Sequence, residues 1–452
     1  MSELPEGWAE TSLGGVCQPS QYGWTTSATR ENIGLKFLRT TDITKGAVNW
    51  DTVPYCVEEP PDVDRYQLTA GDIVISRAGS VGFSAYLDRV EPAVFASYLI
   101  RFRPHESLNG RYLGWFLKSP MYWKQIGEAT SGITLANVNA KKLSAVRLPV
   151  APVPEQDRIV AAIEEQFSRL DAGVAALERV RQNLKRMRAA VLQAAVTGSD
   201  HLMERIQENR AFDLPSGWRW RTVQDVTCLV VDGDHNPPKR TPSGIPHLTA
   251  RNVKNGTLTF EGCTYVSKFD FERMRKRYDP SDGDLIVTCV GTLGETALVP
   301  LGAVFSADRN LAAIRTTGEL RNDFLKLVLD APAWQRAIHN TSGSTAQPHL
   351  YLGDLRRMRI PVPPLVEQER IVDRVHELLS HITSLGKSLK ALDQRSTVAR
   401  SSILTAAFSG KLVPQDPTDP PASVLLERIA AERAASSKPH ATRKPRQLRL
   451  PA

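Results

Sequence analysis

Apolar positions in this chain follow two rhythms, one after the other, and the pair of rhythms occurs twice. In residues 1–150 and again in 213–362 the apolar runs are short and bounded by turn residues, as in Asp72-Ile73-Val74-Ile75 and Asp284-Leu285-Ile286-Val287. Runs of that length closed by glycines predict short buried strands. Tyr112 to Ile126 and Phe324 to Ile338 predict one short helix in each half, carrying Trp123 or Trp334. The second rhythm is helical. Ile371, Val375, Leu378, Ile382, Leu385, Leu389, Leu392 and, after a polar gap, Ile403 advance in steps of four and three, a heptad seam. Ile163, Phe167, Leu170, Val174, Leu177, Leu184, Met187 and Val191 follow it less regularly, with a break near Leu177 and Val180. Prolines precede each seam (Pro152 and Pro154; Pro363 and Pro364), and Gly198 or Gly410 ends it. Those are the expected start and stop residues of a helix. About 40 residues at 1.5 Å each make a rod of roughly 60 Å.

The two halves are copies. Leu4-Pro5-Glu6-Gly7-Trp8 returns as Leu214-Pro215-Ser216-Gly217-Trp218, and Leu38 to Asp42 as Leu248 to Asn252. Gly71-Asp72, Gly79 and Gly82 return as Gly283-Asp284, Gly291 and Gly294, and Thr130-Ser131-Gly132 as Thr341-Ser342-Gly343. Glu155-Gln156 with Arg158-Ile159-Val160 returns as Glu367-Gln368 with Arg370-Ile371-Val372. Matches in one order at a nearly constant offset mean a duplicated domain, not a solenoid of small units.

Neither apolar stripe can stay in water, so the two helices are expected to pack on each other. An antiparallel pair is favoured, because a parallel one would need the chain to run back the length of a helix between them. The fold class is therefore α+β: two mixed α/β globules, related by a pseudo-two-fold axis, on an antiparallel coiled coil. The expected parts are globule one (1–150), a central helical region (151–212), globule two (213–362), a C-terminal helical region (363–412) and a tail (413–452). Within that tail, Leu425-Leu426-Glu427-Arg428-Ile429 echoes Leu202-Met203-Glu204-Arg205-Ile206, so a short packing helix is expected behind each long one. Residues 436–452 are rich in Lys, Arg, Pro and Ser, the composition of a solvated, disordered end.

Composition narrows the chemistry. The net charge of +8, from 57 basic and 49 acidic residues, is compatible with a phosphate backbone as partner but does not require one. Five scattered cysteines, never Cys-x-x-Cys, argue against a disulfide framework or a zinc site and for a reducing cytoplasm. No secretory signal and no membrane-length apolar run is visible. Asn236-Pro237-Pro238-Lys239 resembles an adenine-methyltransferase motif, but Lys239 stands where an aromatic would stack on a flipped base and no Gly-rich cofactor loop lies upstream. Gly386-Lys387-Ser388 falls inside the heptad helix, so it is no phosphate loop. With no metal-ligand spacing and no nucleophile elbow, neither a metal, a cofactor nor a catalytic centre is expected. The basic run Arg179, Arg181, Lys185, Arg186 and Arg188 is either a solvated helix face or one that meets phosphates or an acidic partner.

Leu-Pro-x-Gly-Trp, the Gly-Asp-hydrophobic strand, the Thr-Ser-Gly turn and the twice-occurring Pro-x-x-Pro-x-x-Glu-Gln-x-Arg-Ile-Val resemble the specificity subunits of Type I restriction–modification systems. Thr405-Ala406-Ala407-Phe408-Ser409-Gly410-Lys411-Leu412 fits as well, and the resemblance spans residues 4–435. It implies that each globule reads one half of a split site on double-stranded DNA. It also implies that the helices set the unread spacing and dock two methyltransferase subunits, which endonuclease/translocase subunits then join. Bases would be read by polar side chains on loops that differ between the copies, since shared residues cannot encode two half-sites. The candidates are Gln18, Gln21, Arg30, Arg39 and Arg77 in the first copy and His235, Asn236, Lys239, Arg240, Arg251 and Gln347 in the second. The competing readings are a self-contained methyltransferase or nuclease, opposed by the missing cofactor loop, and a duplicated scaffold that binds no nucleic acid.

Overall fold

The computed structural model describes residues 4–436 apart from 33, 45–46, 131–136, 199–213, 237 and 342–347. The segment Leu202 to Ile206, Gln347 and residues 437–452 thus lie outside the described residues. The chain forms two compact units, Met1–Ala175 with Leu392–Ala452, and Ala176–Ala391.

In the first unit, strand Ala9–Ser12 pairs antiparallel with Arg147–Val150, Ala9 opposite Val150, which ties the start of the globule to its end. Between them lies a four-stranded sheet in the order Gln21–Tyr22, Leu99–Phe102, Ile73–Ser76, Ser84–Tyr86. A second sheet runs in the order Ala28–Thr29, Tyr55–Cys56, Lys36–Leu38, Ala93–Phe95. Every residue of Ile73–Ser76 and Leu99–Phe102 is buried. That accounts for continuous apolar runs where a half-exposed strand would alternate.

The second unit repeats the plan. Arg219–Thr222 pairs with Arg359–Val362, and the central sheet is ordered Thr227–Asp232, Leu311–Thr316, Leu285–Thr288, Thr296–Leu298. A three-stranded sheet, Thr264–Val266, Ile245–Leu248, Ser306–Ala307, stands beside it.

The single short helix expected in each globule is two. Gly110–Phe116 precedes Pro120–Thr130, and Asn322–Asp330 precedes Pro332–Thr341. Pro120 and Pro332 each open a new helix, because proline cannot continue the preceding one but suits a first turn. The apolar periodicity runs through both, which is why the pattern alone reads as one.

The long helices are Val153–Thr197 and Leu365–Phe408. In the first unit the early residues of one helix meet the late residues of the other. Ile163 and Leu404 share a core, Arg400 lies over the Phe167 ring at 4.9 Å, and Phe408 packs edge-on against Tyr112 and Phe116. In the second unit the roles reverse, with Leu192 and Val196 in one core with Val372 and Val375. Both pairings are antiparallel. The seam is narrower than the heptads predict: Val375, Ile382 and Leu389 are buried, whereas Leu385 and Leu392 are exposed. One partner helix covers only one narrow line of a helix surface, and two helices alone leave the flanking positions open.

The closing glycines serve the same role in both units. Gly198 has φ +66°, and a Cβ there would lie 2.3 Å from Cγ of Pro215; Gly410 has φ +69°, and its Cβ would lie 2.2 Å from Cγ of Pro5. Each long helix therefore ends against the start of a globule, the first helix against the second copy and the second helix against the first. Beyond Gly410 the helix Ala422–Ser436 returns to the first globule. The Ala422 amide donates to Gly7 O at 2.8 Å, and Leu425 and Ile429 enter the first core.

Candidate nucleic-acid interface

Residues shared by the two copies are used internally. Trp8 Nε1 donates to Glu155 at 3.0 Å, and Trp218 Nε1 to Glu367 at the same distance. Gln156 accepts from the Asn109 amide and donates to Ala151 O; Gln368 accepts from the Arg321 amide and donates to Pro363 O. The Glu-Gln pair thus bolts each globule to the root of a long helix. Burial pushes the pKa of Glu155 above the usual carboxylate range, although the Trp8 hydrogen bond pulls the other way. Buried Asp72 accepts from Arg103 at 2.8 Å and from the Thr69 amide; Asp284 does the same with Arg315 at 2.8 Å and the Ser281 amide. None of these groups is free to read anything.

Residues that differ between the copies gather at one end of each central sheet. In the first unit Tyr22, Arg77 and Tyr98 gather there, with Ala78 bridged to Asn137. In the second unit the matching bridge is Val290 to His349. Around it opens a cleft of about 690 Å³ lined by Asp232, His235, Arg309, Asn310, His349 and Tyr351. A neighbouring cleft of about 920 Å³ shares Val290 and Asn310 with it and adds His247, Arg251, Lys254 and Thr264. The structure therefore brings His235 and Arg251 to adjoining clefts. His235 Nε2 lies 2.8 Å from Asp232, which also accepts from Arg277. Burial pushes the Asp232 carboxyl up, but the Arg277 and His235 hydrogen bonds outweigh it and hold the group below its ordinary value. Asn236, Lys239 and Arg240 are exposed on the same loop, and Arg273 ion-pairs with Asp234.

The first-copy candidates are dispersed. Gln21 donates to Arg65 O and accepts from Arg101, so both ends of its amide are occupied. Arg39 is bound to Asp42 through Nε at 3.1 Å and a terminal nitrogen at 3.0 Å, closing the turn Thr40–Ile43. Gln18 is exposed beside Arg103, at the opposite end of the central sheet from Arg77. Arg30 is exposed, and Gln347 lies outside the described residues. Sequence reasoning did not single out Tyr22, Tyr98, Arg309, His349 or Tyr351. The signal it had was their mismatch with the other copy: His349 and Tyr351 fall where the first copy has Asn137 and Asn139. Among the described residues no group of His, Cys, Asp or Glu could hold a metal ion, and no helix is long and apolar enough to cross a membrane.

Two copies of one α+β scaffold, alike where they pack and unlike on one exposed end, define a duplicated recognition protein. A family model described as the Type I restriction modification DNA specificity domain matches residues 5–184 and again 215–394. The chain belongs to that family of Type I restriction–modification specificity subunits. It is 27% identical over 431 residues to the Type I restriction enzyme EcoBI specificity subunit of Escherichia coli, covering 91% of this chain and 89% of the relative. It is 25% identical to the StySPI specificity subunit of Salmonella potsdam, over 98% of this chain and 99% of that one. In fold it resembles a chain solved in work on complex assembly and conformational transition of the type I R-M system, with a TM-score of 0.71, 19% identity, and coverage of 91% of this chain and all (100%) of the other. The HsdS subunit from Thermoanaerobacter tengcongensis follows at a TM-score of 0.55 and 19% identity, over 90% and 98%.

Proposed function

We propose that this chain is the non-catalytic, cytoplasmic specificity subunit of a Type I restriction–modification enzyme. Globule one, residues 1–150, reads one half of a bipartite, asymmetric site on double-stranded DNA, and globule two, 213–362, reads the other. The helical regions 151–212 and 363–412 hold the heads apart and dock two methyltransferase subunits, which endonuclease/translocase subunits join. The observation that carries this reading is the division of labour between like and unlike residues. The Trp–Glu, Gln and Asp–Arg contacts recur in both copies, while the exposed ends of the central sheets differ. An internal scaffold kept twice under two different faces suits two different ligands of one kind. Val174, Val180, Met187, Leu385, Leu392 and Val398 stay exposed along the long helices, and apolar side chains in that setting favour burial by partner subunits. His235, Asn236, Lys239, Arg240 and Arg251 are the base- or phosphate-facing candidates of the second head. In the first head Arg77, Gln18 and Arg30 are the base- or phosphate-facing candidates, while Gln21 and Arg39 are held by hydrogen bonds within the fold.

Co-purification with a methyltransferase subunit encoded beside it, followed by footprinting on the methylated duplex, tests the proposal. Two protected patches separated by an unprotected stretch are expected, with binding that weakens steeply as salt rises. A single unbroken patch would reject it.

A further inference from the structure

The first unit holds a half-buried guanidinium with no counter-charge among the described residues. Several other arginines of the unit are paired: Arg39 with Asp42, Arg103 with Asp72, Arg111 with Asp88 and Glu164, and Arg147 with Glu10. Arg77 is half-buried, its Nε is enclosed without a hydrogen-bond partner, and no carboxylate pairs with it among the described residues. Its backbone is fixed from both sides, donating to Tyr98 O at 2.9 Å and accepting from the Val138 amide at 3.0 Å. Its Cζ stands 5.1 Å from the centroid of the Tyr22 ring, and the Tyr22 hydroxyl accepts from the Ala140 amide at 3.0 Å. Tyr22 is 40% exposed and Tyr98 60%, so the place opens to solvent.

A half-desolvated cation with no partner costs stability unless something outside the chain completes it. The missing partner must offer acceptors to a planar fork whose orientation an aromatic ring already fixes. Guanine N7 and O6 in the major groove form that pair of acceptors, and arginine is the side chain that matches them bidentately. A phosphate would accept as well, but a contact that only positions the duplex needs neither burial nor a braced plane. The second copy lacks the device. Cys289 occupies the Arg77 position and is buried, and Asp232, opposite Ala312 as Tyr22 is opposite Ile100, is taken up by Arg277 and His235.

We propose that Arg77 is a specificity-determining residue of the first head, reading a guanine edge, and that Tyr22 is its positioning residue. This rests on the reading of the first globule as a DNA-reading head. The test is to co-express the full chain with its methyltransferase subunit and map methylated sites across a genome. Arg77→Gln and Arg77→Lys should each relax one G·C position in one half of the motif, on the order of tenfold or more. The other half and the spacing should stay unchanged, which also shows that the variants fold and assemble. Tyr22→Phe should keep the motif, because the ring remains, and Tyr22→Ala should relax the same position as the arginine variants. An unchanged motif in both arginine variants overturns the assignment. So does an even loss of methylation at every site with no change in base preference, the mark of a phosphate contact. Replacing residues 4–150 with a relative's separates the two levels. If that exchange alters half the motif while Arg77→Gln does not, only the Arg77 assignment falls; if it alters nothing, the reading of the globule falls with it.

Discussion

Glu155 is 1% exposed and its carboxylate has Trp8 Nε1 as its hydrogen-bond donor. Removing the donor with Trp8→Phe should destabilise the first unit by about 1–3 kcal/mol, the usual cost of an orphaned buried polar group, read as a lowered denaturation midpoint. The raised pKa of Glu155 gives a pH signature. A group more easily protonated when folded contributes stability that is complete below the ordinary carboxylate range and lost as pH rises through the raised value. Glu155→Gln, which keeps an acceptor for Trp8 and removes the charge, should therefore melt higher than the parent at pH 7, with the gap closing on acidification. A constant gap would contradict the burial argument. The thiols give a second residue-level test. Cys17 and Cys289 are buried and pushed up to about 12 by desolvation, whereas Cys228 is exposed. Brief alkylation at neutral pH should label Cys228 and spare both others by mass spectrometry. Sequence could not foresee which arginines were spent. Arg39 differs from its counterpart Thr249, yet Asp42 three residues on consumes it, while Arg77 has no carboxylate partner among the described residues. Only the folded chain puts Tyr22 beside a residue 55 positions away.

At the scale of elements, what repeated was legible and what bent was not. The long helices and their glycine ends were readable, because heptads and stop residues are local signals. The split at Pro120 and Pro332 was masked by apolar residues that keep helical spacing across the break. Gly198 and Gly410 carry the sharpest prediction here. Each adopts a left-handed φ and touches a proline ring that begins a globule. Alanine at either should cost roughly 1–2 kcal/mol for the backbone, with a further penalty for displacing the ring. Chemical denaturation should show Gly410→Ala weakening the first unit and Gly198→Ala the second. Equal melting of parent and both variants would mean that the helix ends are not locked to the globules.

For the whole molecule, the duplication was the most legible feature, since matches at one offset report a shared scaffold whatever that scaffold binds. The residues that read DNA were the least legible, because difference between copies marks every unconstrained surface position as well as every reading one. The cleft-lining His349 and Tyr351 were visible only as mismatches. The central claim, that each globule independently reads one half of a split site, is tested most directly by exchanging residues 213–362 for those of a relative and mapping the methylated motif of the assembled enzyme. A motif in which one half changes while the other half and the spacer length persist is the predicted result. A contiguous motif, or one in which both halves change together, would contradict the account.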